Sequence, residues 1–233
     1  MRLTFKMAVT LVVIGTSIGL GAPKPTVVKP FNEKTLGGWT FKNPKTRSKW
    51  QVGFAAMSTS DPRQIAFSAK GGKGLPQLVN TQSRGVDIYT IRKFGDCTIK
   101  LEVMVPKGSN SGIYVMGEYE IQILDSFGKA KVGAGDIGGL YGAAAPRVNA
   151  AKKPGEWQTF EIVFRAPRFK DGSKVANAMF VKVVLNGQVI HENVEMKGPT
   201  PSGVTGKEAT TGPLMFQGDH GPVAYRNIRI VSD

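Results

Sequence analysis

Asn110–Asp125 reads NSGIYVMGEYEIQILD, and its second half alternates without a break. Tyr119, Ile121 and Ile123 fall on one side of an extended chain, and Glu118, Glu120 and Gln122 on the other. Successive side chains of a strand point to opposite faces, so this segment has one apolar face and one face with two carboxylates and an amide. Periodicity alone reads that polar face as solvated. In a chain otherwise rich in β-formers it is also the first place to look for chemistry.

The same period of two continues on both sides. Thr98–Val105 sets Ile99, Leu101, Val103 and Val105 against Lys100, Glu102 and Met104. Trp157–Arg165 sets Phe160, Ile162 and Phe164 against Thr159, Glu161 and Arg165. Ala178–Leu185 sets Met179, Val181, Val183 and Leu185 against Lys182. Leu185-Asn186-Gly187-Gln188 then reads as a two-residue hairpin turn, because Asn-Gly accepts the positive φ angles such a turn demands. Val189–His191 returns from it. Ser111–Gly117, Leu214–Gln217 and Val223–Val231 read as further strands, with Trp50–Phe54 and Ile65–Ser68 as weaker ones. No stretch holds a helical period, and 29 Gly and 14 Pro punctuate the chain. The pattern predicts an all-β fold, an antiparallel two-sheet sandwich of jelly-roll type. Two long irregular stretches remain, Gly128–Gly155 and Val194–Gly212, of a length that in a compact domain usually serves a site.

Residues 1–21 read as a secretory signal peptide: Arg2 and Lys6 precede the uncharged apolar run Met7–Leu20, and Gly19 and Gly21 supply the small residues before a cut. That run is shorter than the ~20 apolar residues of a membrane span. No second long apolar run follows it, so no membrane span is expected after leader removal, and the protein is expected to be exported to the periplasm or the extracellular space. Residues 22–30 read as a Pro/Lys-rich linker, and 31–233 as one domain opening with FNEKTLGGW. Cys97 is the only cysteine, so an intramolecular disulfide is excluded; within DCTIKLEV it reads as a buried structural thiol. The formal net charge is +14, and +12 without Arg2 and Lys6. Such a surplus favours anionic surroundings. The basic residues are nevertheless spread along the chain, with no helix-turn-helix, zinc-finger or RNP pattern, which together with export speaks against nucleic acid.

Three polar clusters stand on or beside the expected strands. They are Asn110, Glu118, Glu120, Gln122 and Asp125; Gln217-Gly218-Asp219-His220-Gly221; and Arg226-Asn227. Of the two histidines, His191 ends a hairpin strand and reads as a surface residue. His220 stands beside Asp219, whose carboxylate would fix the imidazole tautomer and raise its basicity; a structural role in the turn is the equal alternative. Two carboxylates and an imidazole on one face suit general acid–base work on a sugar. They suit equally a divalent cation such as Ca²⁺, held through Asp125, Asp219, Asn110 and backbone carbonyls. HExxH spacing, a GxSxG elbow and a P-loop are all missing from the sequence. Tyr114, Tyr141 and Trp157 offer rings for stacking on a sugar, although Trp157 opens a strand and reads at least as well as core.

Several stretches together carry a resemblance: FNEKTLGGW (Phe31–Trp39), KFGDCTIKLEVMVPKGSNSGIYV (Lys93–Val115), YEIQILDSFG (Tyr119–Gly128), LYGAAAP (Leu140–Pro146), KPGEWQTFEIVFRAPRF (Lys153–Phe169), LNGQVIHENVEMKGPT (Leu185–Thr200) and GPLMFQGDHGPVAYRNIRI (Gly212–Ile230). In these the chain resembles the bacterial family long called domain of unknown function 1080. That family is described as a 3-keto-disaccharide hydrolase, or 3-keto-glucoside 1,2-lyase/3-keto-2-hydroxy-glucal hydratase, domain. Lys42–Arg84 matches least. The resemblance implies a concanavalin A/laminin G-like jelly roll acting on glycosides already oxidised at C3, hence a separate sugar C3-oxidoreductase as functional partner. Glu120, Gln122, Asn110, Asp219 and His220 match the family's motifs. On that chemistry Glu120 or His220 is the candidate base that removes the acidified C2 proton, and Asn110, Gln122 and Arg226 are candidate ligands for sugar oxygens or the enolate, with Tyr114, Tyr141 and Gln217 beside the substrate. Asp219 would orient His220 or bind a metal. A non-catalytic glycan-binding module is the alternative, since one sandwich serves many tasks.

Overall fold

The computed structural model describes residues 26–232, and the leader expected at 1–21 lies outside them. In chain order the strands are β1 (Thr26–Val28), β2 (Trp39–Phe41), β3 (Trp50–Met57), β4 (Ile65–Ser68), β5 (Gln77–Asn80), β6 (Ile88–Phe94), β7 (Cys97–Met104) and β8 (Asn110–Val115). There follow β9 (Tyr119–Leu124), β10 (Gln158–Arg165), β11 (Arg168–Lys170), β12 (Ser173–Ala176), β13 (Ala178–Leu185), β14 (Gln188–Met196), β15 (Gly212–Phe216) and β16 (Val223–Ser232). No helix occurs among the described residues. The larger sheet runs β14-β13-β10-β7-β16-β5-β3-β4, with β1 also paired to β16; the smaller runs β2-β6-β15-β8-β9; β11 and β12 form a separate hairpin. Every pairing is antiparallel. This is the expected all-β jelly-roll sandwich.

The alternation read from the sequence decides what faces the core. Ile99, Leu101 and Val103 of β7 and Phe160, Ile162 and Phe164 of β10 meet Ile113 and Val115 of β8 and Tyr119, Ile121 and Ile123 of β9 in one buried cluster. Burying each such side chain contributes roughly 1.5–3 kcal/mol. Two aromatics stitch the sheets together where the site will sit. The Phe216 ring stacks on Tyr225 with centroids 3.8 Å apart and planes 6° off parallel. The Tyr225 hydroxyl reaches across the core to Ser111 Oγ at 2.9 Å, and Ser111 Oγ donates to the Gln217 carbonyl at 2.8 Å. Tyr225 on the larger sheet therefore supports β8 and the end of β15 from behind.

Four readings need correction. Thr26–Val28, placed in a linker, pairs with β16 in the register Thr26↔Ser232 to Val28↔Ile230, because β5 borders only the N-terminal half of that long strand and leaves its C-terminal half open. β2, β5 and β6 fall in or near the blurred stretch of the sequence; β5 is QLVN, buried on both faces, so it shows no alternation. β14 runs to Met196, which shortens the second irregular stretch. His191 is buried, not at the surface. Cys97 is buried as expected, and burial pushes its thiol up to about 12. Since the thiolate is the reactive form, the native protein is expected to react negligibly with a thiol reagent at pH 8 and stoichiometrically once unfolded, which an absorbance titration measures.

Candidate active site

The site is built on the face of the β8–β9 hairpin turned away from the core. Pairing sets Gly112 opposite Gln122 and Tyr114 opposite Glu120. With Ile113, Ile121 and Ile123 inside, Asn110, Tyr114, Glu120 and Gln122 must emerge together on the other face. Gly112 is needed between them: a Cβ there would lie 2.3 Å from Glu120 Oε1 and 2.9 Å from Tyr114 Cε2. The missing side chain is thus the space in which the Glu120 carboxyl rests. The Gln122 amide donates to Asn110 Oδ1 at 3.1 Å, which fixes both amides.

The two irregular stretches form the walls. The first lies along the free edge of β9: Gln122 N donates to Gly139 O and Gly138 N to Gln122 O, both at 2.8 Å, and Tyr141 N donates to Glu120 O at 3.1 Å. His191 of the larger sheet anchors it through Nε2 to the Gly138 carbonyl at 2.7 Å, and burial lowers the pKa of this imidazole. The second wall is held by Glu118. Its Oε1 accepts from Thr205 N and Thr205 Oγ1, both at 2.8 Å, and its Oε2 from Gly206 N at 3.0 Å. Thr200 Oγ1 accepts from Glu120 N at 3.0 Å. Glu118→Gln would aim an amide donor at donors, at a cost of ~1–3 kcal/mol. It is expected to speed hydrogen exchange and proteolysis within 200–207 while leaving the core strands protected.

The third part is the turn after β15. Asn80 Nδ2 lies 3.0 Å from Gly218 O and 2.8 Å from Gly221 O, and Asp87 Oδ1 accepts Gly218 N at 3.0 Å. A Cβ at Gly218 would lie 2.4 Å from Val86 O, so the turn seats only with glycine there. On this base His220 is half exposed, with Nδ1 bonded to the Asp219 carboxylate and Nε2 left open.

Together these parts enclose a cavity of about 120 Å³ lined by Asn110, Tyr114, Glu120, Gln122, Tyr141, Pro201, Ser202, Gln217 and His220. Burial pushes the Glu120 carboxyl up to about 7; the Tyr114 hydroxyl and the charge of His220 pull it down, and Asp87 and Asp219 push it further up. Burial and the nearby Glu120 carboxyl raise the Tyr114 phenol. Asp87 is likewise raised, by burial first. The arrangement sets a carboxyl poised to give or take a proton near neutral pH and an imidazole of fixed tautomer around one small polar space.

Seven of the residues singled out in the sequence line this cavity, and Asp219 adjoins it through His220. Arg226 does not. Tyr225 points into the core, so its neighbour on β16 points out of the other side of the sandwich. There Arg226 Nη2 lies 2.6 Å from Glu102 Oε2 and the guanidinium 4.0 Å over the Trp157 ring. Trp157 packs with Ile65, Val79, Met104 and Ala224 and is therefore structural. Asp125 is occupied by Gly108 N at 3.0 Å and Phe127 N at 3.3 Å, and lines a different cavity. No group of three or more His, Cys, Asp or Glu among the described residues is arranged to hold a metal. Asp87, Pro201 and Ser202 escaped the sequence reading. None belongs to a period or a cluster, and only folding brings them to the site.

A jelly-roll sandwich with an acid–base pair in a polar cavity defines a candidate enzyme, and the comparisons place it in a carbohydrate-active class. The chain belongs to the 3-keto-alpha-glucoside-1,2-lyase-like domain family, whose model matches residues 26–231. A candidate glycosyl hydrolase from Parabacteroides distasonis ATCC 8503 is 26% identical, with a TM-score of 0.64 over 89% of this chain and 84% of that one. A second from the same organism is 19% identical, with a TM-score of 0.59 over 89% of this chain and 94% of that one; it bears on the fold alone. No curated protein matches the chain.

Proposed function

We propose that the protein is an exported enzyme, periplasmic or extracellular, that cleaves 3-keto-glycosides by β-elimination followed by hydration. The observation that carries this reading is the buried Glu120 carboxyl, raised to about 7, sharing one small cavity with an imidazole whose Nδ1 is engaged by Asp219. A ketone at C3 acidifies the proton on C2. His220 Nε2 takes that proton, and the C–H electron pair becomes the C3 enolate. As the ketone re-forms, the C1=C2 bond is made and the C1–O bond breaks. Glu120, protonated, gives its proton to the departing oxygen. Asn110, Gln122, Gln217 and the Tyr114 hydroxyl supply polar contacts to the enolate and ring hydroxyls. Hydration runs the roles in reverse: ionised Glu120 takes a proton from water, hydroxide bonds to C1, and the imidazolium returns its proton to C2. The sum is 3-keto-glycoside plus water giving 3-keto-sugar plus alcohol, with both side chains restored.

Because the step needs the ketone, a separate C3-oxidoreductase is part of the reading as functional partner. The test is proton NMR of a 3-keto-glycoside in D₂O. Deuterium is expected at C2 of the product, with His220→Ala abolishing both exchange and cleavage. Cleavage with the C2 proton fully retained would sink the mechanism. One observation favours a purely glycan-binding role, the 40% exposed Tyr141 at the cavity mouth. That role predicts sugar affinity in wild type and no turnover of any 3-keto-glycoside.

A further inference from the structure

An ion pair beneath the His220 turn has no task in the chemistry above. Lys42 and Asp87 flank β2 and β6: Lys42 N donates to Asp87 O at 3.0 Å, and Lys42 Nζ lies 3.5 Å from Asp87 Oδ2. Each side chain also reaches one part of the site. Asp87 Oδ1 accepts Gly218 N at 3.0 Å, one residue before Asp219. Lys42 Nζ donates to the Ser202 carbonyl at 2.7 Å, and Ser202 lines the cavity. Ser202 has φ of 62°, a left-handed conformation that a residue with a Cβ keeps only when its surroundings hold it. The bond from Lys42 is one such hold. The Asp87 side chain is 9% exposed and that of Lys42 29%, and such a half-buried pair adds little to stability, since desolvation of the carboxylate and solvent around the ammonium offset much of the attraction.

We infer that Lys42 and Asp87 are positioning residues: by tying Ser202 and Gly218 to one ion pair they set how the imidazole of His220 stands to the carboxyl of Glu120. The inference rests on the acid–base reading above. It also has an electrostatic side. The groups that face Glu120 are Tyr114 from β8, Tyr225 from β16, His220 and Asp219 from the turn, and Asp87 from the start of β6. Lys42 opposes the charge of Asp87. Neither residue lines the cavity, so their removal should alter turnover more than substrate binding.

The test compares Lys42→Met, Lys42→Arg and Asp87→Asn with wild type by kinetics on a 3-keto-disaccharide and by NMR of the His220 ring. The chain has two histidines, and His191 is fixed at Gly138, so the His220 signals are readily assigned. Lys42→Met is expected to lower kcat about ten-fold or more with a smaller change in KM, and to move the His220 ring signals although Lys42 does not touch that ring. Lys42→Arg should recover most of both. Asp87→Asn keeps an acceptor for Gly218 N but loses a charge that raises the Glu120 carboxyl, and since Glu120 acts in its protonated form the alkaline limb of the pH–rate profile should move to lower pH. Unchanged kcat and unchanged His220 signals in Lys42→Met would overturn the inference. If Lys42→Met does not fold, the same two outcomes in Asp87→Asn decide it. Should wild type turn over no 3-keto-glycoside, the catalytic reading fails by itself. The His220 signals then still decide whether the ion pair holds the turn.

Discussion

Glu120→Gln is expected to lower turnover about 10²–10⁴-fold and, at the same time, to make the protein more stable above pH 7. Burial, as the main cause, pushes the carboxyl up to about 7 in the folded chain from an ordinary value of 4.5. Between those values the folded state keeps a proton that the unfolded state has lost. Stability linked to this group is therefore present below about 4.5 and is lost as pH rises to about 7. Glutamine has no proton to lose, so the variant escapes a penalty on the order of 3 kcal/mol. Denaturant melts of both proteins should nearly coincide at pH 4.5 and separate by pH 8 in favour of the variant. A variant that is dead and yet more stable has lost chemistry rather than fold. Full turnover in Glu120→Gln would remove this carboxyl from the mechanism.

Gly112→Ala is the second large effect, and it works through space alone. The new Cβ would lie 2.3 Å from Glu120 Oε1 and 2.9 Å from Tyr114 Cε2, so the carboxyl must move. Overpacking of this kind costs ~1–3 kcal/mol, and a displacement near 1 Å at a reacting group costs about 10²-fold in rate. Loss of activity should come with a modest fall in melting temperature. Gly135→Ala is the control, since a Cβ there meets nothing within 4 Å and its φ is not positive. If Gly112→Ala keeps wild-type kcat, the Glu120 carboxyl does not need the seat the structure gives it.

The sandwich was legible because β7, β10 and β13 are buried on one face and more open on the other, and so print their period into the sequence; β9 is buried on both faces, but its second face carries the polar side chains of the site, so the alternation of residue type survives there. β5 printed no such period, being buried on both faces. β1 did not either, since nothing in Thr26–Val28 announces the open half-edge of β16 that it fills. In the site, Asn110, Glu120 and Gln122 followed from the alternation of one hairpin. His220 and Asp219 followed from their adjacency. Glu118 belonged to the same polar row but lies in the turn before β9, where it grips the wall instead of the cavity. Arg226 failed because a polar residue on a strand can leave either face of the sandwich. The side it takes was set by Tyr225, whose ring a polar-cluster reading did not weigh. His191 and Asp87 are buried polar groups with long-range partners, Gly138 and Gly218, and no local pattern encodes a contact of that kind.

The central claim is chemistry that depends on a ketone at C3. The purified protein, prepared from residue 22 onward and incubated with a 3-keto-disaccharide and separately with the unoxidised parent sugar, should release monosaccharide from the keto-sugar alone. Mass spectrometry should also catch an intermediate one water lighter than 3-keto-glucose. Cleavage of both sugars at similar rates, or of neither with and without added divalent metal, would contradict the account.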